Sequence, residues 1–292
     1  MSLLQQPVIG YTLGDRAGIG PEVIAAALKQ LPAGAEYRLM GKRELPPVIP
    51  GHPTDDTAKA ALEQLELAAE ALKEGTIDAV VTGPVCKEGL HRVGFTFPGQ
   101  TEFFADRLGV RNFAMCLTGK RLTVALVTTH VALRDVPQLL KTEELVRVGR
   151  LLSGFLRKTG TPHPRIALAG LNPHNGESGA FGDEESSLIT PALAELENLE
   201  PGVFHGPCVP DCVYRDAANG LYDGVVAPYH DQALIPLKLI DFDNSVNATI
   251  GLPRLRVSPD HGTAFGIAGK GMANPSSTIR AFELALRSVL PS

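Results

Sequence analysis

The chain has 292 residues, 44% of them apolar and 20% charged, with a formal net charge of -5, the profile of a globular protein of one large or two medium domains. Mild acidity, no block of Lys or Arg and no Trp remove the field and the stacking platforms that nucleic-acid binding needs. No apolar run reaches the length of a membrane span, and the amino-terminal MSLLQQPVIG has neither a charged n-region nor a cleavage site, so a cytoplasmic protein with no membrane partner is expected.

Residues 7–13 read as a first strand, after which GDRAGIGPE turns tightly into a helix: Gly14, Gly18 and Gly20 permit close turns, Pro21 suits the first helical position, and Glu22 complements the dipole. This is not GxGxxG, so it is a weak phosphate-cradle signal. Residues 37–40 suggest a second strand, and Pro46, Pro47, Pro50 and Pro53 mark a loop. The run 57–73 has strong helix formers with apolar residues at helical spacing, and it ends before Gly75. A short buried strand at 78–82 leads to Lys87, an ammonium that either meets a ligand or is an exposed lysine at a helix start. FPGQTEFF turns into a helix that Thr101 caps, unless its hydroxyl or the helix amides hold an anion.

Further on, strands are expected at 122–128, 165–169 and 225–227, and helices at 143–157, 184–196, 232–239 and 275–289. Cys86, Cys116, Cys208 and Cys212 form no CxxC pair and read as free thiols. Alternating strands and helices argue for a mainly parallel sheet with helices on its faces, whose carboxyl-side strand ends gather ligands. His130, His174 and His230 each follow an expected strand. Three converging imidazoles would hold a divalent transition metal, which polarises a hydroxyl or carbonyl. Lys238, Asn247 and Arg256 are crowded between apolar runs downstream of His230 and suit a small anionic, phosphorylated ligand. Asp260 and His261, in PDHGTA, either orient one another or serve a cofactor; a plain turn-forming Asp beside a His is the alternative.

The motifs GDRAGIGPE, VTGPVCKEGL, PGQTEFFA, TTHVALRDV, GLNPHNGESGAFGDEE, YHDQALIPLK, VNATIGLPRLRVS and DHGTA together resemble those of the 4-hydroxythreonine-4-phosphate dehydrogenases of pyridoxal phosphate biosynthesis, nearly end to end. The resemblance implies an α/β fold of two α/β/α domains with a cleft between them, similar to the isocitrate and isopropylmalate dehydrogenases. The expected division is 1–125 with 250–292, and 126–249 carrying a dimer interface. It also implies a homodimer with shared active sites, in which His230 reaches its metal across the interface. The implied activity is oxidation of the C3 hydroxyl of 4-phosphooxy-L-threonine by NAD or NADP, with a divalent metal (Zn, Co, Mg or Mn), followed by decarboxylation. By the same resemblance the metal ligands fall on His130, His174 and His230 and the substrate contacts on Thr101, Lys238, Asn247 and Arg256; Gln100, beside Thr101, is taken as a further substrate contact, and Lys238 and Asp260 as the catalytic groups. The cofactor contacts and the general base are not assigned.

Two positions depart from the family pattern. Gln100 stands where the family's GHTEF has a His, and Arg16 where GDPAGIGPE has a Pro. Glutamine donates a hydrogen bond but carries no charge and shuttles no proton. The substrate therefore includes, as alternatives, other acids handled by relatives of this fold, 4-phospho-threonate or -erythronate and aromatic cis-dihydrodiol carboxylates. A binding protein that kept the fold without catalysis is the alternative of another class.

Overall fold

A computed structural model of the chain describes residues 6–42 and 47–290; the expectation at Pro46 lies outside these residues. Contacts divide the chain into two compact units, Met1–Arg111 with Val246–Pro291, and Asn112–Ser245. The segment 112–125, expected in the first domain, thus packs with the second unit, and 246–249 packs with the first. The strands are β1 (Val8–Tyr11), β2 (Glu36–Leu39), β3 (Ala79–Val81), β4 (Ala114–Thr118), β5 (Thr123–Leu126), β6 (Ile166–Ala169), β7 (Phe204–Cys208), β8 (Gly224–Ala227), β9 (Val246–Ile250) and β10 (Leu255–Pro259).

In the first unit the strand order is β2-β1-β3-β10-β9. β1, β2, β3 and β10 run parallel, and β9 pairs antiparallel to β10 with Asn247 opposite Ser258 and Thr249 opposite Arg256. The strand interiors Val80, Val81 and Val257 are fully buried, as expected of parallel strands covered on both faces. The helix Asp55–Glu74 starts at a reciprocal cap, Thr54 and Thr57 each accepting the other's backbone N–H, a device worth about 1 kcal/mol. It buries Ala58, Ala61, Leu65, Ala68 and Leu72 along one face and stops at Gly75, φ 77°, where a left-handed residue ends the helix without a Cβ penalty.

In the second unit the order is β4-β5-β8-β6-β7, with β5, β8, β6 and β7 parallel and β4 joined to β5 as an antiparallel hairpin. Leu117, Val124, Leu126, Ala167, Val225 and Leu237 belong to one core. The helix Thr142–Lys158 buries Leu145, Val148, Leu152 and Leu156 at helical spacing. The expected helix at 184–196 is a wide π-type turn, Glu185–Ile189, followed by the helix Thr190–Leu199. No helix among the described residues is long and apolar enough to cross a membrane, and all four cysteines are free.

Candidate functional site

In the first unit the chain folds around a buried guanidinium. Arg256 is the second residue of β10 and is 2% exposed. Its Nε and Nη2 donate to Thr82 Oγ1 at 3.0 and 2.7 Å, and Nη1 reaches Asn247 Oδ1 and Thr249 Oγ1 at 3.5 Å each. The register explains the cluster: β10 lies between β3, which ends just before Thr82, and β9, which carries Asn247 and Thr249. Thr249 Oγ1 in turn donates to Thr101 Oγ1 at 3.3 Å, and Arg256 sits 5.8 Å from the Phe104 ring centroid. Burial pushes the guanidinium down to about 9, partly offset by the Glu102 charge, so it remains cationic at neutral pH. A buried cation held by hydroxyls and an amide, rather than by a carboxylate, is a group prepared for an anion.

Thr101 does not cap its helix, because the helix Gln100–Arg107 begins two residues earlier than expected. Its N-cap is Gly99, in extended backbone with no side-chain cap. Thr101 occupies the first turn, 5% exposed, and its hydroxyl faces Arg256's ring of partners. Gln100 Oε1 is buried with no hydrogen-bond partner among the described residues, an acceptor that a ligand donor would satisfy. Of the expected substrate contacts, Thr101, Asn247 and Arg256 are thus brought together. Thr82 and Thr249, which complete the cluster, carried no signal beyond being polar residues at the edges of apolar runs.

The glycine loop of the first unit is closed by Asp15, 1% exposed, whose carboxylate accepts from Ala17 N at 3.0 Å. Ile19 N donates to Thr263 O at 2.9 Å. A Cβ on Gly18 would stand 2.5 Å from that same oxygen, so only glycine permits this approach. Two residues before Thr263, His261 Nδ1 donates to Gly262 O at 3.1 Å, and its Nε2 is buried with no partner among the described residues. Asp260 N bonds Ser277 Oγ at 3.1 Å, tying the loop to the helix Ser276–Arg287.

The second unit holds the histidines. His130 follows β5, and His230 opens the helix His230–Asp241 after β8. Their ring centroids lie 5.5 Å apart and line a cavity of about 400 Å³ with Thr129, Leu133, Tyr229 and Ile235. Two imidazoles on one tetrahedral ion have centroids about 5 Å apart, so this pair fits a shared metal. His230 Nδ1 is 2.7 Å from Asp231 Oδ1, which leaves Nε2 for an ion and orients the ring as an outer carboxylate does in metal sites. Among the described residues, however, no group of three or more His, Cys, Asp or Glu side chains could hold a metal. His174 does not join the pair: it packs its ring against Phe181, 6.5 Å away. The single chain therefore supplies two of three expected ligands at one place, with His230 beside His130 of its own chain rather than set apart from it as the expected reach across an interface implied.

His174 stands in a left-handed turn in which five successive residues, His174 to Ser178, have φ between 42° and 75°. Non-glycine residues pay for this conformation, and the loop is held by buried bonds. Glu185, 5% exposed, accepts from Leu171 N and Asn172 N at 2.7 Å each. Gln232 Nε2 donates to Gly170 O and its Oε1 accepts from Tyr214, both at 2.8 Å, linking this loop to the helix that begins at His230. Glu185→Gln replaces two charge-assisted bonds with weaker ones; it is expected to cost about 1–3 kcal/mol and to increase proteolytic cleavage within 170–184, both readable by urea unfolding and limited digestion. Lys238, in the last turn of His230–Asp241, lies 5.6 Å from the Phe242 ring centroid.

The model of the family "Pyridoxal phosphate biosynthetic protein PdxA" matches residues 22–285. A 4-hydroxythreonine-4-phosphate dehydrogenase of Desulforapulum autotrophicum is 39% identical, covering 96% of this chain and 95% of that protein. Among solved structures, the 4-hydroxythreonine-4-phosphate dehydrogenase of Klebsiella pneumoniae superposes with TM-score 0.82 at 35% identity, over 97% of this chain and 99% of that one. A terephthalate 1,2-cis-dihydrodiol dehydrogenase of Burkholderia xenovorans gives TM-score 0.72 at 26% identity, over 98% and 99%. Isocitrate dehydrogenase of Methylococcus capsulatus, 17% identical with TM-score 0.55 over 97% and 86%, shares the fold.

Proposed function

The chain belongs to the PdxA family of pyridoxal phosphate biosynthetic proteins and is an oxidoreductase, and from this we propose that it oxidises the C3 hydroxyl of 4-phosphooxy-L-threonine with NAD and decarboxylates the product to 3-amino-2-oxopropyl phosphate. The observation that carries the reading is Arg256, a buried cation ringed by Thr82, Asn247 and Thr249, which supports an anionic substrate end at that place. Thr101 and Gln100 extend the same polar surface. Lys238 and Asp260 are the proposed proton-handling groups: one takes the C3 hydroxyl proton as hydride leaves, and one returns a proton to the carbon that loses carbon dioxide. NAD supplies the hydride acceptor. A divalent ion at His130 and His230, with His174 as third ligand, would supply the positive charge that stabilises oxygen at C3.

The two-histidine arrangement within one chain favours a homodimer, since a second copy can complete the ligand set. The exposed apolar side chains Leu133, Ile235, Leu239 and Phe242 support such an interface.

The similarity to the terephthalate dihydrodiol dehydrogenase keeps a second substrate class in view. It is decided by kcat/KM across phosphooxy-threonine, phospho-threonate and dihydrodiol carboxylates. The reading predicts phosphooxy-threonine first, and a preference for a non-phosphorylated acid overturns it. Gln100→His, which restores the family residue, is expected to raise kcat/KM on phosphooxy-threonine by about tenfold.

A further inference from the structure

We infer that Lys87 is a substrate-binding residue, the second cation of the anion subsite anchored by Arg256, and that this subsite receives the doubly charged end of a phosphate monoester; the inference rests on the functional reading above and deepens it.

Lys87 is the first residue of the short helix Lys87–Arg92, five residues past the Thr82 that accepts from Arg256. Its side chain crosses to the start of the helix Gln100–Arg107. A Cβ added to Gly99, the N-cap of that helix, would stand 3.9 Å from Lys87 Nζ and 3.2 Å from Glu102 Oε2. The ammonium therefore lies beside an uncapped helix start, where first-turn amides carry partial positive charge. From there the contacts run to the guanidinium: Thr101 bonds Thr249, Thr249 meets Arg256, and Arg256 lies over Phe104 of the same helix.

The composition of this cluster points to an absent anion. Among the described residues neither Lys87 nor Arg256 forms an ion pair. Glu102 faces Gly99 and Arg256, and its single negative charge is outweighed by two cations and the helix amides. Gln100 Oε1 at the same helix start is buried and without a hydrogen-bond partner among the described residues; a phosphate dianion has no donor for it, so it would accept from the substrate's ammonium. One guanidinium balances a carboxylate, whereas a phosphate monoester near neutral pH carries about -1.5 to -2, which calls for the second cation.

Calorimetric titration of the full chain with inorganic phosphate at pH 8 tests this, with Lys87→Met, Lys87→Arg and Arg256→Gln alongside the wild type. Wild type and Lys87→Arg are expected to bind phosphate, Lys87→Met about tenfold more weakly, and Arg256→Gln more weakly still. With phosphooxy-threonine, Lys87→Met should raise KM about tenfold while kcat stays within about threefold. Wild-type affinity in Lys87→Met, or no phosphate binding by the wild type, overturns the inference. Lys87-dependent phosphate binding by a wild type that does not oxidise phosphooxy-threonine upholds the inference and overturns the functional reading. Oxidation of phosphooxy-threonine with no role for Lys87 does the reverse.

Discussion

Arg256→Gln is expected to lower kcat/KM for the phosphorylated substrate by about 100- to 1000-fold while leaving thermal stability unchanged or raised. The two halves of this result have one cause. Arg256 is 2% exposed and its hydrogen-bond partners are neutral, so folding strips water from a charge that the nearby Glu102 carboxylate offsets only in part. Such a charge costs stability in the free protein. It is recovered when an anion binds, and removing one partner of a buried hydrogen-bonded charge pair typically loses about 2–5 kcal/mol of binding. The pH dependence follows with its sign. Burial lowers the folded value to about 9, below that of the unfolded chain, so the stability cost is complete below about 9 and fades as pH climbs toward the unfolded arginine value. Anion binding has the opposite trend: it favours the charged form and weakens once pH passes about 9. Arg256→Lys is not a rescue, because full burial can lower a lysine by about 3–5 units and would leave it largely neutral at working pH. Steady-state kinetics and thermal melts on the three proteins check each part.

The second large effect concerns His130 and His230. Either changed to Ala is expected to remove about 1000-fold or more of NAD reduction and to lower the metal bound per chain after dialysis. The pair's 5.5 Å ring separation fits two ligands of one ion, and loss of one leaves too few donors on this chain to retain it. Asp231→Asn, which keeps the shape but weakens the bond to His230 Nδ1, should cost about 10- to 100-fold in metal affinity. Metal analysis together with activity measured before and after chelation separates a ligand role from a structural one. Unchanged metal content in His130→Ala and His230→Ala would rule out the pair as ligands.

Much of the architecture was legible because buried parallel strands are continuous apolar runs. The segments containing Val80, Ala167 and Val225 announce themselves this way, as do the helices Asp55–Glu74 and Thr142–Lys158 through their spacing. What escaped is what the chain disguises. β7 reads FHGPC, and a Gly-Pro pair argues against a strand. The helix Pro210–Ala218, PDCVYRDAA, mixes polar and apolar residues too evenly over nine positions to declare its face. β4, AMCLT, is a short run ending in a polar residue, and in the sequence it was not separated from the turn before β5.

At the site, residue types were readable and neighbours were not. Arg256 was readable only as one of several polar groups crowded downstream of His230, and the fold shows it as a charge inside a buried strand, which demands a partner. Thr82 and Thr249 become its partners only through the strand order β3-β10-β9. His130 and His230 could be named from their strand-end positions, whereas the separate setting of His174, in a left-handed turn beside Phe181, depends on backbone angles that no spacing rule encodes. Glu185 looked like one acid among three in GDEES, and only the fold gives it the amides of Leu171 and Asn172.

The most direct test of the proposed activity is NADH formation by the metal-loaded protein with 4-phosphooxy-L-threonine, followed at 340 nm with carbon dioxide release measured in parallel. One NADH and one carbon dioxide per substrate, lost on chelation and restored by a divalent ion, is the predicted result. Full turnover by metal-free protein, or no NADH from this substrate alongside efficient oxidation of a non-phosphorylated acid, would contradict it.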